Sequence, residues 1–246
     1  MHSQKKRSRP TAVASVAAVA AAGVASYVIW AASRWLRWGR VTGSARRHAD
    51  PLLNPFMPDF EALELHSIAV HAPAEITWST TCDLQLLRSP LIHAIVKTRE
   101  LVLGAAPDPA DATPPTLLAM LKGSGWSVLA EAPGTEIVAG TVTRPWEANV
   151  VFRAIPAEQF AGFQEPGWVK IAVTLRAERV GDARSQASSE TRVVATDDVT
   201  SARMRRYWAC FSPGISIIRR IALGGIKREA ERRARQASAR YAATGR

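Results

Sequence analysis

Residues 168–178 read WVKIAVTLRAE, and residues 185–196 read SQASSETRVVAT. In the first stretch apolar and polar side chains alternate, a period that predicts a strand with one apolar face. That face carries Val169, Ile171, Val173 and Leu175. The second stretch follows across Gly181-Asp182, a pair typical of a tight turn. We therefore expect the two stretches to form an antiparallel hairpin.

A long amphipathic helix is predicted directly after this hairpin. Apolar side chains recur there at steps of three and four and form one stripe over five turns: Met204, Tyr207, Trp208, Phe211, Ile215, Ile218 and Ala222. Pro213 lies within the stripe and has no backbone N–H to donate, so we expect a kink or a restart capped by Ser212. From residue 227 the sequence KREAERRARQ is strongly basic, and we expect this end to fray.

Shorter elements precede the hairpin. In chain order the sequence predicts a strand (63–71), a short helix around 76–82, a second helix (91–103), a proline-rich loop (107–115), a hairpin (126–131 and 136–142), a strand (149–155) and one or two helical turns (156–163). Strands that follow one another, with the long helix at the end, favour an α+β fold over a parallel sheet.

The formal net charge of +11 comes from the two ends of the chain. Residues 1–49 hold nine basic and no acidic side chains, residues 50–202 hold eleven basic and nineteen acidic ones, and residues 203–246 hold twelve basic and two acidic ones. Basic ends bind nucleic acid or anionic lipid. Because the sequence has no zinc pattern, helix-turn-helix or interleaved arginines and aromatics on strands, we expect a lipid bilayer as the partner and no nucleic acid.

An apolar segment near the N-terminus also favours a membrane. Residues 10–33 carry no charge and include ten Ala and five Val; as a helix they span roughly 36 Å, enough to cross a bilayer core. Tyr27 and three Trp residues cluster with three Arg residues at its far end, as in an interfacial belt. We predict an uncleaved single-pass anchor, with a signal peptide cleaved near Ala31-Ala32-Ser33 and a surface-lying helix as the alternatives. Four basic residues precede the span and five follow it, so the cytoplasmic side is favoured for the domain by one residue only.

These features divide the chain into four parts. We expect a basic N-terminus with the transmembrane anchor and a juxtamembrane segment (1–49), a proline-rich linker (50–62), a folded domain (63–234) and a basic tail (235–246). The linker assignment rests on three prolines between residues 51 and 58.

No catalytic or metal-binding motif is apparent in the sequence. Cys82 and Cys210 are the only cysteines and lie far apart, which excludes a disulfide framework and a zinc site built on thiolates. The five histidines share no metal-ligand spacing, and there is neither a G-x-S-x-G motif nor a phosphate-binding glycine loop. We therefore expect no cofactor, no metal and no chemical turnover.

The order of elements resembles the START-like helix-grip superfamily (SRPBCC), which includes polyketide cyclases and lipid-transfer proteins, and within it uncharacterised bacterial members. The resemblance covers residues 64–234 and is carried by GWSVLAEAPGTEIVAG (125–140), Pro145-Trp146, 152–163, 165–167, SETRVVATD (189–197), Arg206-Tyr207-Trp208, Ser212-Pro213-Gly214 and Ile218-Arg219-Arg220. It implies a curved antiparallel sheet wrapped on the long C-terminal helix, with a cavity between them. Because the superfamily hosts carriers, cyclases, hydrolases and regulators, the resemblance implies a fold and no particular activity.

Charged residues on neighbouring predicted strands form the first candidate ligand-binding set: Arg153, Arg176, Glu190 and Arg192. Glu190 and Arg192 are two residues apart and therefore share one face of the sheet. On the concave face this pair would orient a ligand carboxylate or phosphate inside an apolar pocket. On the convex face the charges would form ordinary surface pairs worth under about 1 kcal/mol, the commoner arrangement for charged strand residues.

Aromatic side chains form the second candidate set: Trp126, Phe152, Trp168, Tyr207 and Trp208. They line a cavity or form plain core, and core is the commoner role at these spacings. Tyr207 is the best ligand contact among them, because a buried hydroxyl needs a hydrogen-bond partner.

Three functions are compatible with these patterns. The leading hypothesis is a membrane-anchored binding module for an apolar or amphipathic small molecule, a lipid among the candidates, without turnover. A cyclase- or hydrolase-like enzyme would require Glu190, Arg192 or Tyr207 to converge within a closed pocket. A structural or partner-binding domain would have a filled core. The size and lining of any cavity between the long helix and the sheet distinguish the three.

Overall fold

The structure is a computed structural model that describes residues 11–41, 50–105, 115–123 and 125–244. The predictions for the basic residues before Pro10, for Arg46 and Arg47 and for the loop at 107–114 lie outside these residues. The elements follow in the order α1 (Thr11–Arg37), β1 (Ala62–Val70), α2 (Ala74–Asp83), a 3-10 turn (Leu86–Arg88), α3 (Pro90–Leu103), α4 (Leu117–Leu121), β2 (Ser127–Ala132), β3 (Glu136–Thr143), β4 (Phe152–Arg153), α5 (Ala157–Phe160), β5 (Val169–Gly181), β6 (Arg184–Ala195) and α6 (Asp198–Thr244).

One curved antiparallel sheet is wrapped on the long helix α6, as predicted. Its strand order is β1-β6-β5-β3-β2, and the short strand β4 pairs with β3. β5 and β6 form the predicted hairpin, with Val173 opposite Thr191 and Ala172 opposite Arg192. Because side chains alternate along a strand, the odd-numbered residues of β5 and β6 lie on one face and the even-numbered residues on the other.

The face that contacts α6 is called the concave face here. At one end of α6, Met204 and Trp208 pack on Ala62, Val169 and Val193. At the other end, Leu223, Ile226 and Ala230 pack on Val70, Ala72 and Ala187. Burial of this apolar stripe, rather than helix propensity, is what holds so long a helix in place.

Two predictions about the long helix are wrong. α6 continues without a break through Pro213, because packing against the sheet outweighs the one backbone hydrogen bond that proline removes. The basic end does not fray after residue 227, since α6 runs to Thr244. It is held by the buried side chain of Ala230 and by an ion pair of 2.8 Å between Arg233 and Asp83.

The opposite, convex face is also covered. Residues 50–61, predicted as a linker, pack there together with α5. Leu53, Met57 and Phe160 are fully buried against the sheet. Phe160 lies so close to Gly140 of β3 that a Cβ atom on this residue would be 2.7 Å from its ring, so the strand needs glycine at that point. Both faces of the sheet are therefore buried.

The helix α1 lies beside α6. Two helical segments are long and apolar enough to cross a membrane, Ala17–Arg37 within α1 and Asp198–Tyr241 within α6. The second is the core helix of the domain. The first exposes Val19, Val24 and Val28. It contacts the domain in its C-terminal half, where Arg34 pairs with Glu64 at 2.7 Å and Arg205 Nε donates to the Trp35 carbonyl at 2.9 Å.

Candidate functional site

A cavity of about 350 Å³ separates α6 from the concave face. Its size lies at the lower end of the range for small-molecule pockets. The sheet contributes Val173, Leu175 and Ser189, α4 contributes Leu117, Met120 and Leu121, and α6 contributes Ile215, Ile218, Arg219, Ala222, Leu223 and Ile226. Apart from Ser189 and Arg219, these side chains are apolar, so the cavity suits a ligand that is mostly hydrocarbon.

Two predicted aromatic residues lie at the edge of this cavity. Trp126 and Phe152 both line it, and their rings stack with centroids 5.9 Å apart. Phe152 is 40% exposed, so the pair marks the side where the cavity meets solvent. Gly125 makes the close approach of these segments possible: its φ is +80°, and a Cβ atom there would lie 1.9 Å from the Phe152 carbonyl oxygen.

Among the described residues that line the cavity, only Arg219 is charged. Its guanidinium donates hydrogen bonds to Ser189 Oγ and to Thr191 Oγ1, the latter at 2.7 Å. Both hydroxyls stand on the concave face of β6. Desolvation lowers the pKa of Arg219 to about 10, with the charge of Glu64 acting in the opposite direction. The guanidinium is thus fully protonated at neutral pH and projects a positive charge into an apolar space.

The other predicted aromatic residues lie outside the cavity. Tyr207 lines an apolar groove of about 700 Å³ between α3 and α6, and its hydroxyl accepts a 3.0 Å hydrogen bond from Arg99 Nε. Trp208 is buried core, with its ring centroid 6.2 Å from that of Trp38. Trp168 immediately precedes β5 and packs under the guanidinium of Arg144, 4.3 Å from its ring centroid.

Glu190 and Arg192 lie on the convex face and are nevertheless buried, an arrangement that neither alternative anticipated. Arg192 is 0% exposed because residues 50–60 cover it. Its Nε donates to Glu190 Oε1 at 2.6 Å, Nη1 to the Met57 carbonyl at 2.7 Å and Nη2 to the Asp50 carbonyl at 3.0 Å. The other Glu190 oxygen accepts the Asp50 backbone N–H at 2.8 Å. The pair is closed within the protein and has no contact with the cavity.

Arg176 and Arg153 are also placed away from the cavity. Arg176, half-buried on the convex face, lies 3.1 Å from Glu178 and 3.9 Å from Glu136. Arg153 is exposed and pairs with Glu165 at 2.6 Å, an ordinary surface ion pair. Of the eight predicted ligand-binding residues, the structure brings only Trp126 and Phe152 to the cavity.

The pKa of one buried carboxyl group on the convex face, that of Glu136, lies far above its usual value. The pKa of Glu136 is raised to about 8 by burial, by a hydrogen bond with Asp50 and by the charge of Asp50, while Arg176 opposes the change. Glu136 is therefore protonated at neutral pH, next to the closed Glu190–Arg192 pair. Its position under residues 50–60 points to a role in holding this segment.

Arg219 was not among the predicted site residues. The signal was present: Arg219 is four residues after Ile215 and four before Leu223, so it falls on the face of the helix that packs on the sheet. A charge on a buried helical face costs free energy unless it has a partner or a function. That argument was available from the sequence, whereas the cavity beside Arg219 was not.

Comparisons with known proteins give only distant structural matches. No family model and no curated protein matches the sequence. Solved structures similar to the chain include a hypothetical protein from Helicobacter pylori (6% identity, TM-score 0.36, covering 72% of this chain and 93% of that one) and a conserved protein from Geobacillus kaustophilus (13%, 0.31, 72% and 97%). Another is the ZhuI aromatase/cyclase from a Streptomyces species (14%, 0.27, 72% and 97%). These values are too low to assign a family or an activity.

Proposed function

We propose that this protein is a membrane-anchored binding module that encloses an apolar or amphipathic small molecule between the sheet and α6, without chemical turnover. The cavity carries the proposal. A well-packed interior has few voids larger than a water molecule, and an apolar space of about 350 Å³ beside the core is far above that size. A structural domain with a filled core would not contain it.

The arrangement of side chains favours binding over catalysis. The enzyme hypothesis required Glu190, Arg192 or Tyr207 to converge in one pocket, but the sheet separates the first two from the cavity, and Tyr207 faces the groove beside α3. Arg219, with its pKa of about 10, is protonated at neutral pH and cannot serve as a general base. We therefore assign it a role in binding.

The apolar surface around α1 and α3 supports the membrane part of the proposal. Tyr27 of α1 lines the same groove as Leu91 and Val102 of α3, so the two helices expose neighbouring apolar surfaces. Leu101 on α3 is 82% exposed. A patch of this kind on the same side as a candidate transmembrane helix is suited to contact with acyl chains.

Basic side chains at the C-terminal end of α1 add to this support. Arg34, Arg37 and Arg40 line a cleft of about 370 Å³ beside Trp38 and Trp208. Arginines and tryptophans at one level are suited to the headgroup region of an anionic bilayer. Tyr27 precedes the alternative cleavage site near Ala31-Ala32-Ser33, and its hydroxyl donates a hydrogen bond to the Cys210 carbonyl. This contact favours a helix that is retained over a signal peptide that is removed.

Native mass spectrometry of the full chain, released in a steroid-based detergent too bulky for the cavity, tests the proposal. We expect the protein to take up dodecanoate or its methyl ester as a single adduct. Ala222→Trp, which places an indole in the cavity, should abolish uptake. Ile217→Trp is the matched control, because Ile217 is an exposed residue of the same helix. A wild-type chain that takes up neither probe, or an Ala222→Trp variant that still binds, would contradict the proposal.

A further inference from the structure

We infer that the molecule held in the cavity carries one anionic group, a carboxylate or a phosphate, which pairs with Arg219. This inference rests on the proposed function and specifies the class of ligand. It starts from the cost of the charge itself. Arg219 is half-buried, and a guanidinium partly withdrawn from water loses hydration that hydrogen bonds or an opposite charge must replace.

The partners of Arg219 do not replace that hydration. A guanidinium has five N–H donors, and among the described residues its hydrogen bonds go to two neutral hydroxyls, those of Ser189 and Thr191. Neither hydroxyl carries a charge. Within the part of the chain that the structure describes, Arg219 forms no ion pair. Three of its five N–H groups therefore have no hydrogen-bond acceptor among the described residues.

The opposing charge that acts on Arg219, that of Glu64, is engaged by other partners. Glu64, on the concave face of β1, acts on Arg219 only through space. Its carboxylate lies 2.7 Å from Arg34 Nη1, 2.9 Å from His66 Nε2 and 2.9 Å from the Ser216 hydroxyl. These contacts lower the pKa of Glu64 against the effect of burial, so its charge is shared among several partners.

The position of Arg219 suits recognition of a headgroup. Ser189 and Thr191 fix the guanidinium at the sheet, while Ile218, Ala222 and Leu223 surround it with apolar surface on the α6 side. An amphiphile would place its hydrocarbon among the apolar side chains and its anionic group on Arg219. Carboxylates and phosphates match the planar fork of arginine through paired hydrogen bonds. With about 350 Å³, the cavity accommodates one chain or a compact ring system.

A competition experiment on the full chain isolates the charge. Dodecanoate, dodecyl phosphate and methyl dodecanoate share one hydrocarbon chain, and only the first two are anions. Equimolar mixtures are added to the detergent-solubilised protein, and native mass spectrometry gives the ratio of each anion adduct to the ester adduct. Arg219→Met removes the charge at similar length. Arg220→Met is the matched control, because Arg220 is exposed on the same helix and shares the same micelle.

We expect Arg219→Met to lower the anion-to-ester ratio by about tenfold or more, the effect of losing one charged hydrogen-bonded pair. Arg220→Met should leave the ratio unchanged, and Arg219→Lys should retain part of it. Preference for dodecanoate identifies a carboxylate ligand, and preference for dodecyl phosphate identifies a phosphate ligand; either supports the inference.

Equal ratios in the wild type and in Arg219→Met would overturn the inference and leave the proposed function intact, since both chains would still bind. Uptake of none of the three probes by the wild type would overturn both. If Arg219→Met does not fold, Arg219→Lys and the wild-type ratio decide the question, because a wild type that binds the ester as well as the anions has no use for the charge.

Discussion

One arginine lies against each face of the sheet, and the two arginines differ in what surrounds them. Arg192 on the convex face bonds to a carboxylate and two carbonyl groups under residues 50–60. Arg219 on the concave side bonds to two hydroxyls and borders an apolar cavity. Arg192 has a carboxylate partner within the chain, whereas Arg219 has no counter-ion among the residues that the structure describes. We infer from this difference that the charge of Arg192 has a structural role and that the charge of Arg219 binds a ligand.

This difference also explains why the predicted pair, Glu190 and Arg192, is structural, while the candidate site lies on the other face of the sheet. Burial alone does not mark a functional residue, because Arg192 and Glu190 are among the most buried side chains in the protein. Arg219 differs because, among the described residues, it has N–H donors without acceptors and lies beside an apolar cavity. Each of the following predictions tests one side of this contrast.

The largest expected effect is on stability, from Arg192→Met. The substitution leaves Glu190 buried without its ion-pair partner, and we expect the free energy of unfolding to fall by about 3–5 kcal/mol. Urea denaturation of the full chain, followed by circular dichroism, measures it. Arg153→Met, which breaks an exposed pair, should cost under about 1 kcal/mol. Arg219→Met should resemble Arg153→Met; a loss as large as that of Arg192→Met would make Arg219 a structural residue as well.

A smaller change in the free energy of unfolding is expected when the pH is varied, because Glu136 on the convex face titrates. Its pKa rises from the usual 4.5 to about 8, so the folded state binds a proton that the unfolded state has released in this window. The free energy of unfolding should therefore fall as the pH rises from about 4.5 through 8. Thermal unfolding at a series of pH values tests this, and Glu136→Gln should flatten the decline.

The matched control for this titration is Glu165→Gln. Arg153 holds the pKa of Glu165 below its usual value, so the stability linked to Glu165 is present above its unfolded pKa and is lost only in acid. This variant should keep the wild-type decline between pH 5 and 8. A wild-type profile that is flat over this range, or a Glu136→Gln variant that declines as steeply, would show that Glu136 titrates normally.

The smallest expected effect is a shift in fluorescence that reports which face of the domain lies toward the bilayer. In a chain with Cys82 and Cys210 replaced by Ser, single cysteines at Leu101 or Glu158 carry an environment-sensitive fluorophore. Leu101 lies on the exposed side of α3, and Glu158 is exposed on α5 over the convex face. In liposomes containing phosphatidylglycerol, we expect a blue shift at 101 and none at 158. The opposite pattern, or equal spectra, would contradict the proposal that the exposed side of α3 faces the membrane.

Much of the fold was predictable from local patterns. The β5–β6 hairpin, the turn at Gly134 and the apolar stripe of α6 follow from alternation, turn residues and helical spacing, and the structure agrees within a few residues. Residues 50–61 were misread as a linker because three prolines suggested an unpacked segment, while Leu53, Met57 and Phe60 are core. Prolines restrict backbone shape and do not prevent burial.

The candidate site was far less predictable. Glu190 and Arg192 were correctly placed on one face of one strand, but only the register with β5 and the cover provided by residues 50–60 showed that this face is convex and sealed. Trp126 and Phe152 line the cavity in the structure, whereas their spacing in the sequence is compatible with both cavity and core. The hydrogen bond between Tyr207 and Arg99 joins residues 108 positions apart in the chain, so local sequence patterns do not predict it.

By itself, the sequence determined the α+β class, the antiparallel hairpin, the long helix with its stripe and the apolar basic-flanked N-terminal segment, because these depend on spacing between near neighbours. Only the tertiary structure decided which sheet face α6 covers, that a space remains beneath it, and that Arg219 meets hydroxyls there while Arg192 meets a carboxylate. The physical reason is that cavities and charge pairing are set by distances between residues far apart in the chain, and side-chain periodicity carries no information about those distances.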